Sequence, residues 1–148
     1  MRFRLIAALI GTVLLTLPAR AETKLPSPLL QETLIKTALL TLNDANITGN
    51  YAVLHAKLAK PFREQYSPDR LKQVFKAFAD QRADWGVISA KPPVPTAEAA
   101  IDKRGVLQLR GYFDTSPSRI TYEIDFAPSE GEWKPLMLHV KARPPNEG

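Results

Sequence analysis

The chain has 148 residues, with 20 Lys and Arg against 15 Asp and Glu, two histidines and no cysteine. The missing thiols exclude disulfides, thiol catalysis and cysteine metal sites, and two histidines leave any zinc site dependent on carboxylates, so no metal or other cofactor is expected. Basic and acidic residues are mixed along the chain without the basic stripe and interleaved aromatics of a nucleic-acid surface, which argues against a nucleic-acid partner.

Residues 1–21 have the three parts of an export signal: Arg2 and Arg4, an apolar run over residues 5–17, and Ala19-Arg20-Ala21. Cleavage after Ala21 is expected, leaving residues 22–148 as one domain in the periplasm or outside the cell. The apolar run falls short of the roughly 20 residues that span a bilayer, so no membrane anchor is expected after cleavage. Three of the 20 basic residues lie in this leader, and the remaining 17 against 15 acids give only +2.

Ser27-Pro28 opens a helix, because the serine oxygen accepts a free backbone N–H and proline at the first turn has none to lose. The helix is expected to reach about Asn46. Leu30, Leu34, Ile35, Ala38, Leu39 and Leu42 recur every three or four residues and form one broad buried face. Asn43-Asp44-Ala45-Asn46 weakens it, and Thr48-Gly49-Asn50 offers a cap for a shorter helix over residues 51–59, limited by Pro61. Ser67-Pro68-Asp69 repeats the cap-plus-proline device for a third helix, to about Gln81. Its stripe of Leu71, Val74, Phe75 and Phe78 faces the core, and its polar face lacks the dense Lys and Arg of a membrane-surface helix.

After Trp85 the period changes. Pro92, Pro93 and Pro95 make a stiff connector or an edge. Residues 106–113, 119–126 and 133–140 alternate as strands, with Ile120, Tyr122, Ile124 and Phe126 opposite Thr121, Glu123 and Asp125. Residues 114–118 and 128–131 are turn sequences, with Gly131 ending a loop of three to five residues. Asp102-Lys103-Arg104-Gly105 marks a further hairpin and a short extra strand over residues 98–101. Helices first and antiparallel strands second define an α+β domain whose N-terminal helices pack on a curved antiparallel sheet. The tail over residues 142–148, with Pro144-Pro145, is expected to fray.

This order of parts resembles the nuclear transport factor 2-like superfamily. Residues 46–62, the run Gly105-Val106-Leu107-Gln108-Leu109-Arg110-Gly111-Tyr112-Phe113, and Gly131-Glu132-Trp133-Lys134 are similar to small exported bacterial proteins of that type. The resemblance implies a cone of helices and sheet, with Trp133 sealing one end and a hollow that serves as the default binding site. Enzymes of this fold pair a carboxylate with a donor such as tyrosine in the hollow, whereas other members only bind or assemble, so fold does not select function.

Candidates for lining such a hollow are Tyr51, His55, Phe75, Trp85, Arg110, Tyr112 and Tyr122. Tyr51 and His55 share a helix face one turn apart. Arg110 shares a strand face with Gln108 and Tyr112, where it either clamps an anion or pairs with Glu123 or Asp125. Trp85 either lines the hollow or plugs the junction of helix three with the sheet. His139 alternates with Trp133 and Met137. Glu123 and Asp125 fall opposite Tyr122, so alternation separates the acids from the phenol, and no catalytic residue is assigned. The expectation is a non-enzymatic domain that binds a small apolar or amphipathic ligand or pairs with a protein partner. The alternatives are an isomerase- or dehydratase-type enzyme and a structural homodimer.

Overall fold

A computed structural model describes residues 24–143, so the expected leader (1–21) and the Pro144-Pro145 tail lie outside the described residues. Helix α1, Pro28–Thr48, starts where expected: Ser27 Oγ accepts from Leu30 N at 3.2 Å. It runs two residues past Asn46 because Asn43 and Asn46 are buried and bonded instead of competing with the helix. Asn43 Oδ1 accepts from Trp85 N at 3.0 Å, and its Nδ2 donates to Asp84 Oδ1 at 3.1 Å.

The second expected helix is two. Helix α2, Ala52–Lys57, and helix α3, Lys60–Gln65, are separated by an extended step at Leu58 and Ala59, both fully buried. Ala59 N donates to Pro135 O at 2.8 Å, which ties the step to the sheet. Pro61 starts α3 at a position where a missing N–H is harmless. The third expected helix is also broken, into α4, Pro68–Val74, and α5, Lys76–Asp80, at Phe75. Leu71 and Phe75 stay buried across the break, while Val74, expected in the core, is 50% exposed. No glycine or proline marks the break, so packing sets it. A 3-10 turn, Gly86–Ala90, follows and buries Ile88.

The sheet is antiparallel and curved, in the order β1-β3-β4-β5, with β2 also on β3. Its strands are β1, Val94–Pro95; β2, Ala100–Ile101; β3, Leu107–Phe113; β4, Arg119–Ser129; and β5, Glu132–Arg143. Thus the proline connector supplies an edge strand, and the short extra strand pairs Ala100 with Gln108. The fold class is α+β, helices packed on a curved antiparallel sheet. One buried cluster joins Ile35, Leu39 and Leu42 of α1 to Leu107, Phe113, Ile124 and Phe126 of the sheet.

Three sheet details correct the sequence reading. The β4–β5 turn is two residues, Glu130 and Gly131, both at positive φ (55° and 82°), not three to five. This is the hairpin geometry that follows strand twist, and glycine suits its second position. Pro128 then falls inside β4, beyond the end of β3, where no ladder bond is lost. Ala142 and Arg143, expected to fray, pair with Ile120 and Arg119.

The third detail is a bulge: Asp125 pairs with Met137 but Phe126 pairs with Pro135, so Leu136 is one extra residue. The bulge reverses alternation along β5. Trp133 therefore packs on the core side with Leu138, and His139 does not share its face.

Candidate functional site

The space between α1 and the sheet is filled: Leu39, Leu42, Leu107, Phe113, Ile124 and Phe126 are at most 1% exposed. The expected interior hollow is thus replaced by two open clefts, one on each side of the N-terminal half of α1.

The larger is an apolar groove of about 780 Å³. Helix α1 gives Leu30, Leu34, Thr37, Ala38 and Thr41, which recur at helical spacing along one side. Helix α2 gives Leu54, Ala56 and Lys57, and the β4–β5 hairpin gives Phe126, Pro128, Trp133 and Pro135. The bulge at Leu136 is what turns the Trp133 ring toward this groove instead of the outer face. Its charged lining is Lys24, Lys57, Glu132 and Lys134.

An ionic cluster braces the hairpin against α3. Glu130 accepts from Lys134 Nζ at 2.6 Å and from Arg63 Nη2 at 2.5 Å, and Arg63 Nη1 also donates to Leu58 O at 2.6 Å. Lys134 and then Arg63 hold the Glu130 carboxyl down to about 2, so two cations share one carboxylate that stays ionised through mild acid.

The smaller cleft, about 600 Å³, opens where β1 and β2 part from β3 between Pro95 and Ala100. Gln31 and Ile35 of α1, residues 96–99, Leu109, Arg110 and Tyr122 line it. Tyr122 is 1% exposed, and its hydroxyl makes no hydrogen bond among the described residues. Burial pushes this phenol up to about 12. Arg110 is largely committed: Nη2 bonds Asp125 at 2.7 Å, while Nη1 donates to Leu109 O and Ile124 O at 3.0 and 3.1 Å. This pair is half-buried, and its guanidinium is held by the protein's own acceptors.

Of the seven sequence candidates, Arg110 and Tyr122 meet in a cleft, whereas Tyr51 and His55 are joined by a backbone bond, His55 N to Tyr51 O at 2.9 Å, away from both. Tyr51 is buried with its hydroxyl on Asn46 Oδ1, and burial pushes its phenol up. His55 is half-buried, with Nε2 3.1 Å from Arg63 O. Phe75 is a core residue, 6.4 Å from the Phe78 ring. Trp85 is a plug: Nε1 donates to Leu39 O at 3.0 Å and its ring meets Phe78 edge-on at 5.0 Å. Tyr112 lies under the Arg119 guanidinium, 4.3 Å from its ring centre. None of these five lines either cleft.

Sequence reasoning missed the larger groove. Its one usable signal was the width of the α1 apolar face: Leu30 is 41% exposed, more than a buried face requires. Trp133 could not be placed without the bulge, for which the one local signal is Pro135, a proline inside a strand, where it fits an edge or a bulge alike.

Among the described residues no carboxylate bonds a tyrosine, and no group of three or more His, Asp or Glu is arranged to hold a metal ion. No helix there is long and apolar enough to cross a membrane. The fold and site together define an α+β domain with an open apolar groove between its first helix and its last hairpin. Comparison with protein-family models, curated proteins and solved structures finds no match to this chain.

Proposed function

We propose that this chain is an exported, periplasmic or secreted, non-enzymatic domain of nuclear transport factor 2-like build that binds a small amphipathic molecule in the groove beside α1. The observation that carries this is the groove itself. Its volume of about 780 Å³ falls among ligand sites, and its walls are mainly apolar side chains with few polar groups. Support for the family comes from the order of parts: a long helix, short helices, then a bent antiparallel sheet. Support for binding over catalysis comes from the walls, where among the described residues Glu132 is the one carboxylate and no tyrosine or histidine is present. A proton-transfer enzyme needs a base beside a donor.

The test is calorimetric titration of the chain from Glu22 onward, which carries every core residue, with monomeric dodecanoate. One saturable site is expected. Thr37 lines the groove but is exposed, so Thr37→Trp fills the groove without touching the core and should weaken binding at least about tenfold. No saturable binding of any alkyl ligand, or full affinity in the filled variant, contradicts the proposal.

A further inference from the structure

Resting on that groove reading, we infer that the ligand is a free single-chain amphiphile with an anionic head, the head lying toward Lys24 and Lys57 and the chain against Leu34, Leu54, Phe126 and Trp133. Among the described residues, three of the four charged side chains that line the groove are lysines. Lys134 is held by Glu130 at 2.6 Å, but that carboxylate also holds Arg63, so even this cluster has one positive charge in excess. Lys57 has only the Thr41 hydroxyl, at 3.5 Å, and neither Lys24 nor Lys57 makes an ion pair among the described residues. Against them stands Glu132, on the hairpin side of the groove.

The sign of this charge selects the head. An anion is drawn to the lysines, a cation is repelled, and a neutral head gains nothing from them. The walls select the rest of the ligand. Apart from the charged residues, the described lining side chains that offer hydrogen bonds are the hydroxyls of Thr37 and Thr41, both on α1, and the indole N–H of Trp133, three groups against an otherwise apolar wall. A sugar or nucleotide would leave its polar groups unpaired there, whereas an alkyl chain would not. The lysine stems add apolar cover while their ammonium groups stay in water.

The test compares four ligands with the same twelve-carbon chain, each below its micelle concentration: dodecanoate, dodecyl sulfate, dodecyl maltoside and dodecyltrimethylammonium. Both anions are expected to bind at least about tenfold more tightly than the cation, and the double variant Lys24→Gln/Lys57→Gln should close most of that gap. Both lysines are exposed, so the variant leaves the core alone. Equal affinity for all four heads overturns the anion claim and leaves the groove reading standing. No binding of any chain overturns both. Sedimentation with phosphatidylglycerol vesicles without uptake of monomeric anions makes the groove a membrane-docking face, and the inference of a free amphiphile is then wrong.

Discussion

Tyr122 and Gly111 form one cross-strand pair, and the phenol lies where a side chain at 111 would have to go. A Cβ added at Gly111 would run into Tyr122 Oη and would meet Val94 O at 2.5 Å. One of these is backbone, so the strand must move. Gly111→Ala is expected to destabilise by about 1–3 kcal/mol, measured by urea unfolding, and Tyr122→Phe should not rescue it because Val94 O remains. By itself, Tyr122→Phe removes a hydroxyl that reaches the smaller cleft and has no protein partner among the described residues, so it should change stability little below pH 10.

The same phenol sets a pH dependence. Below about pH 10 it is protonated in folded and unfolded chains alike. Between its unfolded value of 10.0 and its folded value of about 12, the unfolded chain releases the proton and the folded chain keeps it. Stability therefore falls through that window, by about 2 kcal/mol at its upper end. Wild type and Tyr122→Phe should diverge in unfolding free energy from pH 9 to pH 12; parallel curves would show that the folded phenol titrates like the unfolded one.

At the scale of elements, caps and alternation were legible and breaks were not. Ser27-Pro28 and Ser67-Pro68 each start a helix as their chemistry requires, with each serine oxygen on the N–H three residues ahead. Phe75 carries no breaking chemistry, yet α4 ends there because Phe75 and Phe78 both turn toward the core around Trp85. The α2–α3 step is fixed by Ala59 bonding Pro135, 76 residues away, which no local pattern can report. The β5 bulge, which put Trp133 in the groove, has a local mark in Pro135, but a strand proline fits an edge as well as a bulge and so does not locate the extra residue.

Helix α5 ends on Arg82 in the left-handed region (φ 51°), with Ala83 N bonding Phe78 O at 3.0 Å and Arg82 N bonding Ala79 O at 3.0 Å. That position favours glycine. Arg82→Gly is expected to raise stability by about 0.5–1 kcal/mol in thermal unfolding, because it relieves a side-chain clash at an exposed site. A loss of stability would mean that the arginine side chain contributes more than its backbone strain costs.

At the scale of the whole molecule, the fold class was legible and the site was not. Periodicity identifies which face of each element is buried, but a groove arises where two buried faces fail to meet, and that depends on their relative placement. Leu30 and Leu34 read as core, yet the β4–β5 hairpin stands far enough from α1 to leave them lining open space. Tyr51, His55, Phe75 and Trp85 read as ligand contacts because aromatics suit both uses, and here packing and internal hydrogen bonds take all four.

The sequence has two tryptophans, and the structure assigns them opposite roles. Trp133 lines the groove, and Trp85 is sealed in the core with its indole N–H on Leu39 O. A proton–nitrogen correlation spectrum of the chain from Glu22 onward, titrated with monomeric dodecanoate, reads both indole signals at once. The account predicts that the Trp133 signal shifts and saturates while the Trp85 signal stays in place. A shift confined to Trp85, or two unmoved signals at saturating ligand, would contradict it.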